Sequence, residues 1–186
     1  MILNDRTISE LIEHGVLVDL GQSEDCTLKG VLDQVNPNSL DLTIGKVVRY
    51  PYRGEMVTTY GRDNNDSFPF RREVECIALT PGDYCLAVAR EYITMPDNLC
   101  GQVFLKSSLG RLFVNHMLAG VVDAGYEGRL TLEFKNDSNN TVYIPVGSRV
   151  VQLVLMQLSG VAGKPYGDRR SRYQGATEPE GSKEQR

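Results

Sequence analysis

The hexapeptide Lys106-Ser107-Ser108-Leu109-Gly110-Arg111 follows an alternating apolar run. Hydroxyls and free backbone N–H groups at a strand-to-helix junction can cradle phosphate oxygens, and an arginine adds planar, bidentate donors. A capped surface turn reads equally well from these six residues alone. The stretch from Ala119 to Phe134 reads as a hairpin turning near Tyr126, with Leu130, Leu132 and Phe134 on one face and Arg129, Thr131 and Glu133 on the other. Pairing Asp123 with Arg129 would set Glu133 opposite Ala119. Both carboxylates would then share a face, roughly 13 Å apart before twist. Glycosidase carboxylate pairs lie within about 9.5 Å, so these two would address different parts of one ligand. The plainer readings are a solvent-facing strand charge for Glu133 and a self-capping turn residue for Asp123. Gln152 interrupts the apolar run Val150–Leu155, and a buried amide must find partners, in a neighbouring strand or in a ligand. Between residues 164 and 174, Tyr166 and Tyr173 interleave with Lys164, Arg169, Arg170 and Arg172, which suits an arm closing over a polyanion.

These groups need a frame. Residues 7 to 14 have helical spacing, with Thr7 and Glu10 as a capping box and Gly15 as the stop. Thereafter the period is two. Leu40, Leu42 and Ile44 alternate with Asp41 and Thr43 as a half-buried strand, and residues 51 to 72 read as a long loop or irregular hairpin. Short strands are expected at 84–89, 101–105, 118–123, 129–135, 142–145 and 149–158, separated by turns such as Thr80-Pro81-Gly82-Asp83 and Met95-Pro96-Asp97-Asn98. The pattern predicts an all-β barrel or sandwich in one domain over residues 1–174. Residues 175–186 form a polar tail, either frayed or a lid ordered by ligand, and the composition favours fraying over 178–186.

The chain has 186 residues and a net charge of −4, which argues against a broad nucleic-acid or acidic-membrane surface. No stretch approaches a membrane span, and MILNDRTISE lacks a signal peptide's charge-then-apolar order, so a cytoplasmic location is expected. Cys26, Cys76, Cys85 and Cys100 form no C-x-x-C pair, and His14 and His116 lie far apart. Four reduced, mostly buried thiols are expected, and no zinc site.

Phe104 to Leu112, Gly120 to Gly128 and Leu132-Glu133-Phe134 resemble the dCTP deaminase family. So do Leu3–Arg6, Pro37–Leu42, Met95–Leu99, Pro165–Gly167 and Ser171–Gln174, in the same order. The resemblance implies a mainly β, distorted dUTPase-like barrel with a short N-terminal helix. It implies a homotrimer with sites between subunits, acting on dCTP or dUTP carried as triphosphates with Mg²⁺. Ser107, Ser108 and Arg111 match the serines and arginine that hold phosphate and water, with Lys106 beside them. Glu133 matches the catalytic glutamate and Asp123 the aspartate near the sugar. Ala119 and Val121 match the base region, and Gln152, Tyr166, Arg172 and Gln174 the phosphate side.

The resemblance gives the residues a reaction. Most nucleobase deaminases make hydroxide on zinc held by H-x-E and P-C-x-x-C motifs, and this sequence has neither. Glu133 would then be the general base for water attacking C4 of cytosine, with Arg111 and Ser107 positioning that water. Gly120-Val121 stands where deaminases that stop at dUTP carry His-Arg, and resembles the branch that also cleaves dUTP to dUMP and pyrophosphate. The Arg111–Asp123 stretch is one residue short of the family pattern, and Leu118 replaces a usual threonine. The end product, the acceptance of CTP, and inhibition by dTTP stay open. Two other readings remain: a dUTP pyrophosphatase without deamination, and a non-catalytic nucleotide-binding trimer.

Overall fold

Asn4 starts the first helix. Its Oδ1 accepts from the Thr7 backbone N–H at 3.1 Å and from the Thr7 hydroxyl at 3.0 Å, so α1 runs Asp5–Glu13, two residues ahead of the expected start, and Thr7 is not the cap. Ile8 and Ile12, one turn apart, are buried. A short α2 (Leu28–Leu32), which sequence spacing does not announce, is capped by Thr27 through the Gly30 N–H. The computed structural model describes residues 1–54, 67–116, 120–169 and 171–183.

The rest is mainly β, as β1 (Val35–Asn36), β2 (Ser39–Tyr50), β3 (Phe70–Glu73), β4 (Cys76–Leu79), β5 (Tyr84–Thr94), β6 (Leu99–Leu105), β7 (Val114–His116), β8 (Val121–Val122), β9 (Glu127–Asn136), β10 (Val142–Pro145) and β11 (Arg149–Gln157). A short α3 (Ser107–Gly110) follows β6. Part of the expected 51–72 loop lies outside the described residues, and its end forms β3. The main sheet runs β7-β9-β5-β2-β11-β6-β8, with β1 and β3 also on β2, while β10 and β4 form a separate ribbon. Its ladders are antiparallel. Register shifts in the β2–β5, β5–β9 and β2–β11 pairs bend the strands, as bulges do. The sheet curls into a half-barrel around Leu42, Ile44, Leu132, Phe134 and Leu153, all fully buried. Among the described residues its terminal strands β7 and β8 are not paired with each other, so the expected distorted barrel takes the form of an open, curled sheet.

Three other expectations change. The 119–134 hairpin does not form: β8 pairs with β6 (Gln102↔Val121), while β9 pairs with β5 and β7. The turn between them is bonded elsewhere, with the Met95 N–H donating to the Tyr126 carbonyl at 2.8 Å and the Gly125 N–H to the Met95 carbonyl at 3.0 Å. Gly125 has φ +76°, and a Cβ there would meet Pro165 Cβ at 2.5 Å, so the turn depends on glycine. Next, β2 is not half-buried, because Asp41 and Thr43 are buried as well. Glu91, fully buried on β5, accepts from the Thr43 hydroxyl, the Thr43 N–H and Gln34, which satisfies the polar side of β2. Finally, residues 175–183 are not frayed. The Gly175 N–H donates to the Glu127 carbonyl, the Arg129 N–H to the Ala176 carbonyl at 2.7 Å, and the Glu180 N–H to the Thr131 hydroxyl. Glu178 pairs with Arg71 at 2.7 Å. Backbone bonds and an ion pair hold the segment, and composition reports neither.

The cysteines are free, but only Cys85 is fully buried. No helix among the described residues is long and apolar enough to cross a membrane.

Arg129 ties the loop before α2 to the sheet. Its Nη2 lies 2.6 Å from Glu24 Oε2, its Nε donates to the Ala89 carbonyl, and Glu24 Oε1 accepts from the Lys46 N–H. Glu24→Leu would strand the buried guanidinium, and breaking such a pair costs about 3–5 kcal/mol. Urea denaturation should show a loss in that range. A loss under about 1 kcal/mol would mean that the pair is not structural.

Candidate active site

The β5–β9 ladder sets Glu133 opposite Leu86, one residue before fully buried Phe134. Its side chain is 30% exposed, at the wall of a cavity of about 890 Å³. That volume falls within the range of small-molecule sites. Leu130 and Thr131 join Glu133 from β9, and Val121 and Asp123 enter from β8 and the turn after it. Tyr126 and Tyr166 meet edge to face, with ring centroids 5.6 Å apart, and both line the cavity. The tail closes one side with Glu180, Gly181 and Ser182. Aromatic and apolar walls with a few carboxylates suit a flat ring carrying polar edges.

Burial raises the Glu133 pKa above its ordinary value. Its Oε2 is buried without a hydrogen-bond partner and lies 3.4 Å from His116 Nε2, which is also buried and unbonded. Burial lowers the His116 pKa. Burial therefore disfavours the charged form of both groups. Sequence spacing gives no hint of this contact, because β7 and β9 meet only through the sheet.

The sequence-predicted residues fall into two groups. Val121, Asp123, Glu133 and Tyr166 line the cavity, whereas Lys106, Ser107, Ser108, Arg111 and Gln152 do not. The second group gathers where β6 runs into α3 beside β11: Gln152 sits opposite Phe104, and the Lys106 N–H donates to the Val150 carbonyl. Ser107, Ser108 and Arg111 are exposed there. Lys106 is already engaged, since its Nζ lies 2.8 and 2.9 Å from the two oxygens of buried Asp41. Asp41 thus anchors the base of α3, a role its place in an alternating strand conceals.

The arm residues are engaged too. Gln174 accepts from the Glu127 N–H and donates to the Gly125 carbonyl, which pins the tail to the β8–β9 turn. Arg172 donates to the Lys183 carbonyl. Arg129, expected beside Glu133, is spent on Glu24 instead. Ala119 lies outside the described residues. A Cβ at Gly120 would meet the Val103 carbonyl at 2.7 Å, so β8 seats on β6 only with glycine here. Among the described residues, no three His, Cys, Asp or Glu side chains gather as a metal site would require.

The raised Glu133 pKa carries a stability cost with a defined direction. Below the free-chain value of 4.5 the carboxyl is neutral in both states and the cost is absent. It grows as pH rises and is complete above the folded-state pKa. Glu133→Gln, neutral throughout, should therefore raise Tm at about pH 7 and leave it unchanged near pH 4. No stabilisation at neutral pH would contradict the burial argument.

The family model described as dCTP deaminase-like matches residues 2–158. A Persephonella marina protein is 39% identical over 94% of this chain and 92% of its own length, and a Methanobrevibacter smithii protein is 35% identical over 98% and 94%. Both are named "dCTP deaminase, dUMP-forming". A crystal structure of 2'-deoxycytidine 5'-triphosphate deaminase from Agrobacterium tumefaciens superposes with a TM-score of 0.64 at 26% identity, covering 83% of this chain. This chain spans about half of that longer one, 47%. With a family match over most of its length and relatives well above 30% identity, this chain belongs to the dCTP deaminase-like family.

Proposed function

We propose that this protein is a nucleotide deaminase that converts dCTP to dUTP and ammonia and carries the product on to dUMP and pyrophosphate. The observation that carries the reading is Glu133, a half-buried carboxylate with a raised pKa on the wall of a nucleotide-sized, aromatic-lined cavity. A base tuned upward by burial can take a proton and give it back near neutral pH. Glu133 removes a proton from water as the oxygen bonds to C4. The C4=N3 π pair moves onto N3, which receives that proton through Glu133, and the carboxylate then carries the remaining hydroxyl proton to the exocyclic amino group as the C4–N bond breaks, C4=O forms and ammonia leaves. Cleavage to dUMP is supported by the names of the relatives and by the Gly120-Val121 pair.

The separation of the two residue groups supports a site built from two copies of the chain, within a homotrimer. One copy offers Glu133, Asp123, Val121 and Tyr166, together with Ala119. Another offers exposed Ser107, Ser108 and Arg111, with Gln152 beside them. Free hydroxyls and a guanidinium suit triphosphate oxygens and the attacking water. Lys106 acts there through Asp41 rather than as a free phosphate cation. Mg²⁺ enters with the triphosphate as its counterion, and no residue of this chain is assigned to it. Arg172 and Gln174, expected on the phosphate side, are spent on holding the docked tail, so the phosphates fall to Ser107, Ser108 and Arg111.

Incubation with Mg²⁺ and dCTP, CTP or dUTP, followed by assay of ammonia and pyrophosphate, tests the reading. Both products are expected from dCTP. Glu133→Gln should keep nucleotide binding and lose ammonia release by at least about 100-fold. Near-native deamination by that variant sinks the assignment. Pyrophosphate from dUTP alone makes the protein a pyrophosphatase, and bound nucleotide without any product makes it a binding module.

A further inference from the structure

His116 is the last residue of β7, which pairs Asn115 with Lys135 and His116 with Phe134 at the edge of the sheet. Its side chain is 4% exposed, and its ring packs edge-on to Phe134, with centroids 5.9 Å apart. It is thus held by the ladder and by an aromatic contact, with little freedom to turn. From that position Nε2 faces Glu133 Oε2 at 3.4 Å. Two buried polar atoms without other partners, aimed at each other on the wall of a cavity, are an uncommon arrangement, because leaving either unpaired is costly.

We propose that His116 is a positioning residue for Glu133, an inference that rests on Glu133 being the general base. The imidazole stays neutral with its proton on Nε2 and donates to Glu133 Oε2. That bond fixes the carboxylate plane and leaves Oε1 turned to the cavity. Oε1 takes a proton from water as the O–C4 bond forms and delivers it to N3, then carries the hydroxyl proton to the departing amino nitrogen as the C4–N bond breaks and C4=O forms. The imidazole neither gains nor loses a proton, and Oε2 remains an acceptor whether Oε1 is charged or protonated. The 3.4 Å separation closes to hydrogen-bond length when the ligand fills the cavity, as contacts in empty catalytic sites often do. The residue that orients the base then comes from the same chain as the base, so the pair is complete before copies associate.

The test uses full-length protein and dCTP with Mg²⁺. His116→Phe keeps the ring packing and removes the donor, whereas His116→Gln keeps a donor. The Phe variant should lower kcat for ammonia release about 10–100-fold with KM within about threefold of native, and the Gln variant should recover part of kcat. In the Glu133→Gln background, His116→Phe should lower the residual rate no further, because its effect runs through the carboxylate. The proposal is overturned if His116→Phe stays within twofold of native kcat, if Gln and Phe fall equally with a matching rise in KM, or if the losses add in the double variant. Should the Phe variant not fold, His116→Asn, too short to reach, takes its place with the same outcomes. An active Glu133→Gln chain defeats the reading of Glu133 as the general base, on which this inference rests. An inactive one beside a fully active His116→Phe defeats only this inference.

Discussion

The ladder between β5 and β9 decides where a carboxylate can be kept near water yet out of it. On β9, Leu132 and Phe134 are drawn into the core, and Glu133 between them is left at a cavity wall with its Oε2 buried. The register shifts between Val88 and Tyr92 of β5, and Arg129, opposite Tyr92, is buried against Glu24. One strand therefore carries an ion-paired charge at one end and a cavity-wall carboxylate at the other. Core packing on the Leu132 face holds Glu133 in place, because a slip by one residue would exchange the faces and put the carboxylate in the core.

The edge of β9 is shared. β7 covers residues 134 to 136, and the stretch beyond it is met by residues 175 to 180 through backbone bonds. The first neighbour brings His116 to Glu133, and the second brings Glu180 to Ser182 to the cavity. Across the sheet, buried Asp41 ties Lys106 to β2 and so holds the start of α3, leaving Ser107, Ser108 and Arg111 outward. The fold thus holds these two groups by different means, one by burial and one by an anchored, exposed turn.

Much of this was legible in the residues. The period of two marked most strands, β10 at its observed ends, and the alternation of Leu132 and Phe134 with Glu133 gave the right faces. The failures share a cause, which is that partners distant in sequence are not encoded by local spacing. Gly125 and Gly128 look like hairpin glycines, yet the turn bonds to Met95 and the two flanking strands go to opposite ends of the sheet. Asp41 looks solvent-facing until Lys106 and Asn36 are brought to it. The tail has almost no apolar residues and still docks, through bonds its composition cannot register. His116 carried no motif, and only the β7–β9 pairing brings it to Glu133.

The central claim is that Glu133 of one copy works with Arg111 of another. Subunit complementation tests it most directly. Arg111→Ala and Glu133→Gln chains, each inactive alone, are co-expressed with different tags, and the mixed oligomers are purified and assayed for ammonia from dCTP. If the site is shared, each mixed trimer, two chains of one kind and one of the other, has about one site in three with both residues native, and activity returns in that proportion. Mixed oligomers as inactive as either parent would place both residues in one chain's site and contradict the account.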